Sequence, residues 1–273
     1  MANYTELLNR RYGIDAFNAN LPGNETISSL LSHRSIRAYL NDPLPPNTLE
    51  TLVAAAQSAS TSSNLQTWSV VAVEDAKNKE KLSQLASNQG HIRQCPLFLV
   101  WLADLARLKY IAENQGLTHD SLDYLEMFVM AVIDATLAAQ NAVVAAESLG
   151  LGTVYIGALR NHPEGVAEVL NLPPHVFAVF GLCIGYADSS VNTEIKPRLP
   201  QKAILHRETY KLQQQDEEIA LYNQIMQNFY NSQQMNVSGD WSEHSAKRVA
   251  LAESLSGRAK LREALNNLGF ELR

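Results

Sequence analysis

Apolar positions along this chain follow two periods that take turns. Between residues 24 and 33, Ile27, Leu30 and Leu31 recur at helical spacing and predict a short helix. Asn47-x-x-Glu50, just after Pro45-Pro46, is a capping signal for a second helix carrying Leu49, Leu52, Val53 and Ala56. Trp68 to Glu74 is β-branched and bounded by polar residues, which predicts a strand. Pro96 is followed by Leu97 to Ala103, a continuous apolar run that predicts a second, buried strand. The longest helical signal spans 121–149, with Ser121 as N-cap and Gly150 at the left-handed C-terminal position. It is apolar on nearly every side, so it is expected at the centre of a core or of a dimer. Glu126, Asp134, Gln140, Asn141 and Glu147 interrupt it too often for a membrane span. Strands at Thr153–Ile156 and Val176–Ile184 follow, joined by a short helix around Glu164–Leu170. Beyond residue 206 the chain turns to Gln, Asn, Tyr and charge, with two or three amphipathic helices. The expected organisation is a polar arm or short unstable helix over 1–24, a main domain over 25–205, and a helical extension over 206–273. That extension cannot make a core alone and is expected to pack on the body or on a partner subunit.

At 273 residues the chain can bury a sizeable core, and 46% hydrophobic with 18% charged residues is a globular composition. The net charge of −6 argues against nucleic acid and against anionic membrane as partners. Any local cluster of cations therefore calls for something small and anionic. Cys95 and Cys183 form neither a disulfide framework nor a metal-ligand spacing, so they read as buried thiols. With no apolar leader in the first two dozen residues, a cytoplasmic location is expected.

Three segments hold candidate chemistry. In His33-Arg34-Ser35-Ile36-Arg37 an extended backbone would put His33, Ser35 and Arg37 on one face, a set suited to a phosphate ester or a polyhydroxylated chain. A solvated surface turn accounts for it equally well on local grounds. Lys196-Pro197-Arg198 repeats the two-residue spacing, and Pro197 favours extended backbone before it, so both cations should point one way. That fork suits one dianionic phosphate, and a surface loop remains the alternative. Thr61 to Trp68 joins a helix to a strand; it is either a loop of turn formers or a presenter of hydroxyls and N–H groups to a polar heterocycle. Gly150-Leu-Gly152 is not a dinucleotide fingerprint, because it closes a helix and opens a strand. No P-loop, nucleophile elbow or metal-ligand pairing of the seven histidines is present. If the protein is an enzyme, an organic cofactor is expected to carry the reaction.

Taken in order, HRSIRAY (33–39), STSSNLQ (60–66), NQGHI (88–92), AQNAVVAAESLGLGTVYIGALRN (139–161), FGLCIGY (180–186) and KPRLP (196–200) resemble the nitroreductase/flavin reductase superfamily. The likeness runs from about residue 26 to about 255 and is strongest to the larger oxygen-insensitive NAD(P)H nitroreductases and FMN reductases. It implies an α+β fold: a central, mostly antiparallel sheet flanked by helices, in an intertwined homodimer. It implies FMN between subunits, with His33, Arg34, Ser35, Lys196 and Arg198 on phosphate and ribityl chain and Arg37 at the pyrimidine edge. Gln89 would meet the ribityl or the ring's oxygen side, and Tyr155, Ile156, Gly157 and Ala158 would line the ring. Thr61, Ser62, Ser63 and Leu65 would come from the other subunit. The implied reaction is ping-pong transfer of two electrons from NADH or NADPH to a nitroaromatic, quinone or free flavin, with no side-chain acid or base. A dedicated FMN reductase is an alternative, and a non-catalytic flavin-binding sensor another.

Three departures from the family pattern stand out. Ala158 replaces a frequent second glycine, which is harmless only where φ is negative. The N-terminus is about twenty residues longer than usual. Relatives carry arginines for the 2′-phosphate of NADPH before an Asp-Thr-Trp-Ser-like segment, whereas Asn231 to Gly239 here has no cation ahead of Asp240-Trp241-Ser242. A weakened preference for NADPH is therefore expected.

Overall fold

The computed structural model describes residues 4–14 and 21–273. In chain order these form helices α1 (Tyr4–Tyr12), α2 (Glu25–Ser32) and α3 (Thr48–Gln57), then strand β1 (Trp68–Val73). Helices α4 (Ala76–Leu85) and α5 (Gly90–Gln94) precede β2 (Leu97–Asp104); α6 (Ala106–Asn114) and α7 (Leu125–Ser148) precede β3 (Gly152–Ile156). After α8 (Pro163–Leu170) and β4 (Val176–Gly185) come α9 (Gln201–Ile204), α10 (Asp216–Ser232), α11 (Trp241–Ala250) and α12 (Leu261–Asn267). The chain packs as two compact units, Met1–Arg34 with Ser190–Leu255 and Ser35–Ser189 with Ser256–Arg273. This division differs from the segments 1–24, 25–205 and 206–273. Of the arm, residues 1–3 and 15–20 lie outside the described residues.

The larger unit is built on one antiparallel sheet of order β1-β2-β4-β3. Its centre, β2, is buried along its whole length, because both faces are covered. Leu97, Leu99 and Trp101 point to one face, where they meet Leu52 and Ala56 of α3 and the alanines of α7. Phe98, Val100 and Leu102 point to the other, against Leu82 of α4, Ile92 of α5 and Val166 of α8. The unbroken apolar run in the sequence is this alternation with no solvent face left over. Gly181 opposite Val100 makes room for a ring: a Cβ there would lie 2.3 Å from Cζ of Phe98. Between Trp101 and Leu102 the β2–β4 register slips, and Arg160 donates to the Val179 carbonyl at that bulge.

Helix α7 buries only one of its apolar faces within the chain. Ala131, Ala135, Ala138, Ala139, Ala142 and Ala146 form a small-residue face buried within the chain. Leu125, Val129, Ile133 and Leu137, four residues apart, lie on a stripe left 41% to 52% exposed. Its start also differs: Ser121 sits in a 3-10 turn, Asp120–Asp123, drawn in by buried Leu122. The first N–H of the helix, on Leu125, is instead accepted by the Arg273 carbonyl at 3.2 Å. By length and hydropathy alone α7 could cross a membrane, yet buried Asp134 is bonded to a neighbouring loop, as described below. Helix α3 begins where expected but is capped otherwise. Asn47 adopts φ 63°, makes no side-chain cap bond, and its carbonyl accepts from Thr51 N–H and Oγ1.

In the smaller unit Tyr222, Met226 and Tyr230 of α10 form a core with Leu199, Phe229, Val237 and Trp241 around it. The last stretch of chain joins the larger unit, where Leu265 and Phe270 pack with Ala131 and Phe177.

Candidate functional site

In the smaller unit the two basic segments come together. Lys196 and Arg198 are exposed while Pro197 between them is buried. The Arg198 guanidinium turns back to donate to the Lys196 and Pro197 carbonyls at 3.1 and 3.4 Å, and the Lys196 ammonium lies 5.9 Å from the centre of the Tyr230 ring. The Pro197 carbonyl on the buried side accepts from the Tyr222 hydroxyl at 2.9 Å. His33, half-buried, and Arg34, exposed, follow α2; Asn24 caps that helix by accepting from the Ile27 N–H. The Arg34 guanidinium donates to Thr193 Oγ1 at 3.3 Å, three residues ahead of Lys196. Buried Arg11 of α1 reaches both segments through their carbonyls, at His33 and at Lys196. Arg198 also borders a cleft of about 680 Å³ shared with Tyr12, Gln201, Tyr222 and Trp241.

In the larger unit Ser35 to Leu40 forms a ribbon laid on the sheet. Ser35 bridges Thr153 in parallel, and the Ile36 N–H donates to the Thr153 carbonyl at 2.9 Å. Tyr39 bridges Ala187, and its hydroxyl donates to the Ile36 and Cys183 carbonyls. Burial pushes the Tyr39 phenol far above its ordinary range, which keeps it a donor. Gly152 is required here, since its Cβ would stand 2.6 Å from Cγ1 of buried Ile36. Gly150, at φ +78°, closes α7. The Gly-Leu-Gly pattern is therefore a helix stop and a packing notch.

Exposed Arg37 faces α5, where it helps to hold down the pKa of His91, after burial as the larger cause. Gln89 is half-buried at the head of α5, its carbonyl accepting from Ser83 Oγ at 2.9 Å. At the end of β3, Ile156 is buried, while Tyr155 is partly exposed and packs edge-on to Phe180 with ring centroids 4.9 Å apart. Neither Gly157 nor Ala158 has a positive φ, so the alanine is accommodated without backbone strain.

The Thr61–Leu65 segment is tied elsewhere, to the middle of α7. Asp134, 2% exposed, accepts from Thr61 Oγ1 at 2.5 Å, from the Ser62 N–H at 3.2 Å, and from Thr67 N–H and Oγ1 at 3.2 and 3.1 Å. Ser63, Asn64 and Gln66 all take positive φ, at 49°, 55° and 51°. Such a backbone costs about 1–3 kcal/mol at each unfavourable residue, so the carboxylate holds a shape the loop would not keep alone. Ser62, Ser63 and Asn64 are left facing solvent.

Sequence reasoning named the residues that present themselves and missed those that hold them. Asp134 was visible only as an interruption of an apolar helix. A carboxylate in that setting signals a partner, since burying it alone is costly. Arg11 gave no signal, because its acceptors are backbone carbonyls that no spacing encodes.

A wholly antiparallel sheet covered on both faces, with a fixed ribbon beside it and basic segments before and after in the chain, makes this an α+β protein equipped to meet a small anionic ligand. The profile of the nitroreductase family matches residues 30–186, and that of its C-terminal domain matches residues 196–273. The chain belongs to the nitroreductase family. It is 45% identical over 195 residues to an FMN reductase (NADPH) of Bacillus subtilis, covering 71% of this chain and 77% of the relative. To an oxygen-insensitive NADPH nitroreductase of Salmonella typhimurium it is 37% identical over 250 residues, 91% of this chain and 99% of the relative. The solved NADPH:FMN oxidoreductase from Vibrio harveyi, complexed with NAD+, superposes with a TM-score of 0.80 at 34% identity, covering 92% of this chain and all of that one.

Proposed function

We propose that the protein is an FMN-dependent NAD(P)H oxidoreductase that reduces nitroaromatics, quinones or free flavin by a ping-pong two-electron mechanism. The observation that carries this reading is the cation fork, Lys196 and Arg198 exposed around a buried Pro197, joined to His33 and Arg34 in one unit. The residues present fit the proposed cofactor: clustered cations suit a dianionic phosphate far better than a metal or a neutral ligand. Among the described residues no group of His, Cys, Asp and Glu could hold a metal ion.

In this reading His33, Arg34, Ser35, Lys196 and Arg198 hold phosphate and ribityl chain. Gln89 serves the ribityl or the ring's oxygen side, and Tyr155 to Ala158 line the ring. Bound flavin supplies hydride acceptance from the nicotinamide and delivery to the acceptor. Arg37 stabilises negative charge at the pyrimidine edge, and a fixed guanidinium so placed favours paired electron transfer. The exposed stripe of α7 supports a homodimer, and Thr61, Ser62, Ser63 and Leu65 then serve the flavin of the second copy. Sedimentation should give twice the monomer mass; a monomer at micromolar concentration overturns the dimer.

The test of function is anaerobic. The yellow protein should bleach on addition of NADH or NADPH and recover its colour with a quinone or nitroaromatic. Failure to bleach with either nucleotide overturns the reading in favour of a flavin-binding sensor. Because Asn231 to Gly239 carries no cation, kcat/KM with NADH should equal or exceed that with NADPH, and a large NADPH advantage overturns that part alone.

A further inference from the structure

The groups assigned to the flavin phosphate lie at the surface, but what sets their spacing is buried. Arg11 of α1 is 8% exposed. Its guanidinium donates to three carbonyls: Lys196 at 3.0 Å, Leu31 at 2.8 Å and His33 at 2.6 Å. Its own carbonyl, in the last turn of α1, accepts from the Arg198 N–H at 2.9 Å. Arg11 thus bonds to both basic segments at once, and to Arg198 in the opposite sense. Helix α1 is locked at this point. Gly13 ends it at φ +67°, where a Cβ would stand 2.4 Å from Cγ2 of Ile225, and Arg10 pairs with Glu194.

We infer that Arg11 is the positioning residue of the phosphate site, buckling the His33–Arg34 and Lys196–Arg198 segments into one clamp. The inference rests on the proposed FMN reading. Its physical content is twofold. A planar guanidinium has five donors in a rigid fork, enough to bind carbonyls of two segments at fixed separation, which a flexible ammonium does not reproduce. It also turns carbonyl oxygens toward itself, and carbonyl dipoles facing a phosphate would repel it. Both effects act on the phosphate end of a flavin only.

The test compares FMN with riboflavin, which lacks the phosphate, by quenching of flavin fluorescence on titration into apoprotein. The wild type should bind FMN the more tightly. In Arg11→Met the ratio of FMN to riboflavin affinity should fall by about tenfold or more, as when an outer support of a bound ion is removed, with riboflavin binding unchanged. Arg11→Lys should fall between the two. An unchanged ratio overturns the inference, and so does an equal loss of both flavins, the mark of general destabilisation. A wild type that binds both flavins alike overturns the phosphate site itself, a separate failure. If Arg11→Met does not fold, the same ratio in Arg11→Lys decides alone.

Discussion

The basic segments and the Thr61–Gln66 loop solve one problem with opposite charges. Each is a polar stretch held from behind by one buried ionisable side chain distant in sequence. Behind the basic segments stands a cation, Arg11, which gathers carbonyls. Behind the loop stands an anion, Asp134, which gathers N–H and O–H donors. The choice of charge decides what remains to face a ligand. With the Leu31, His33 and Lys196 carbonyls engaged, the first stretch offers its cations, the equipment for an anion. With its donors engaged, the loop offers only the outward side chains of Ser62, Ser63 and Asn64, which suits a neutral heterocycle.

Asp134 carries the heaviest of these duties. Asp134→Ala removes the acceptor of four hydrogen bonds and leaves the fully buried Thr67 N–H without it. A loss of about 3–5 kcal/mol in unfolding free energy is expected from urea denaturation. Asp134→Asn keeps one acceptor oxygen and should cost less. If both variants unfold like the wild type, the loop holds its own shape and the parallel with Arg11 fails.

The next effect sharpens the other half. In the proposed site Arg198 meets the phosphate directly, so Arg198→Ala should weaken FMN by about 10- to 100-fold, the worth of a charge-assisted hydrogen bond. It should leave riboflavin binding and the unfolding midpoint of the apoprotein alone. A presenting residue moves affinity only, whereas Asp134 moves stability. Equal weakening of both flavins would mean that Arg198 supports structure and presents nothing to the phosphate.

What the sequence made legible follows from the same division. The strands at 68–73, 97–104, 152–156 and 176–185 were readable because apolar runs of β-branched and aromatic residues state their burial directly. Lys196 and Arg198 were readable because Pro197 constrains the backbone locally. Ser121 misled because helix starts are set by whatever accepts the first N–H groups, here the carbonyl of Arg273, 148 positions away. The half-exposure of α7 was hidden because an alanine face and a leucine-rich face both count as apolar, and only packing tells which one the sheet covers. Arg11 was hidden because backbone carbonyls are the same at every residue.

His91 gives the smallest expected effect, and it tests whether Arg37 faces α5 as described. Its Nε2 is buried with no hydrogen-bond partner, and burial, then the Arg37 charge, lower its pKa below 6.5. The neutral ring is thus the form the fold accepts. A group whose folded pKa is depressed costs nothing above its unfolded pKa, and it withdraws stability as pH falls below that value toward the folded one. His91→Gln should therefore lose less stability than the wild type as pH falls from 7 through 6 and below, while matching its pH dependence above 7. His175, lowered by burial and by Lys109, adds a similar slope to both proteins, so it cancels in the difference. Arg37→Gln removes the second cause and should move the wild-type slope part of the way toward that of His91→Gln. Parallel stability curves for all three proteins would show that Arg37 and His91 do not share a field, and would detach Arg37 from the Gln89 segment.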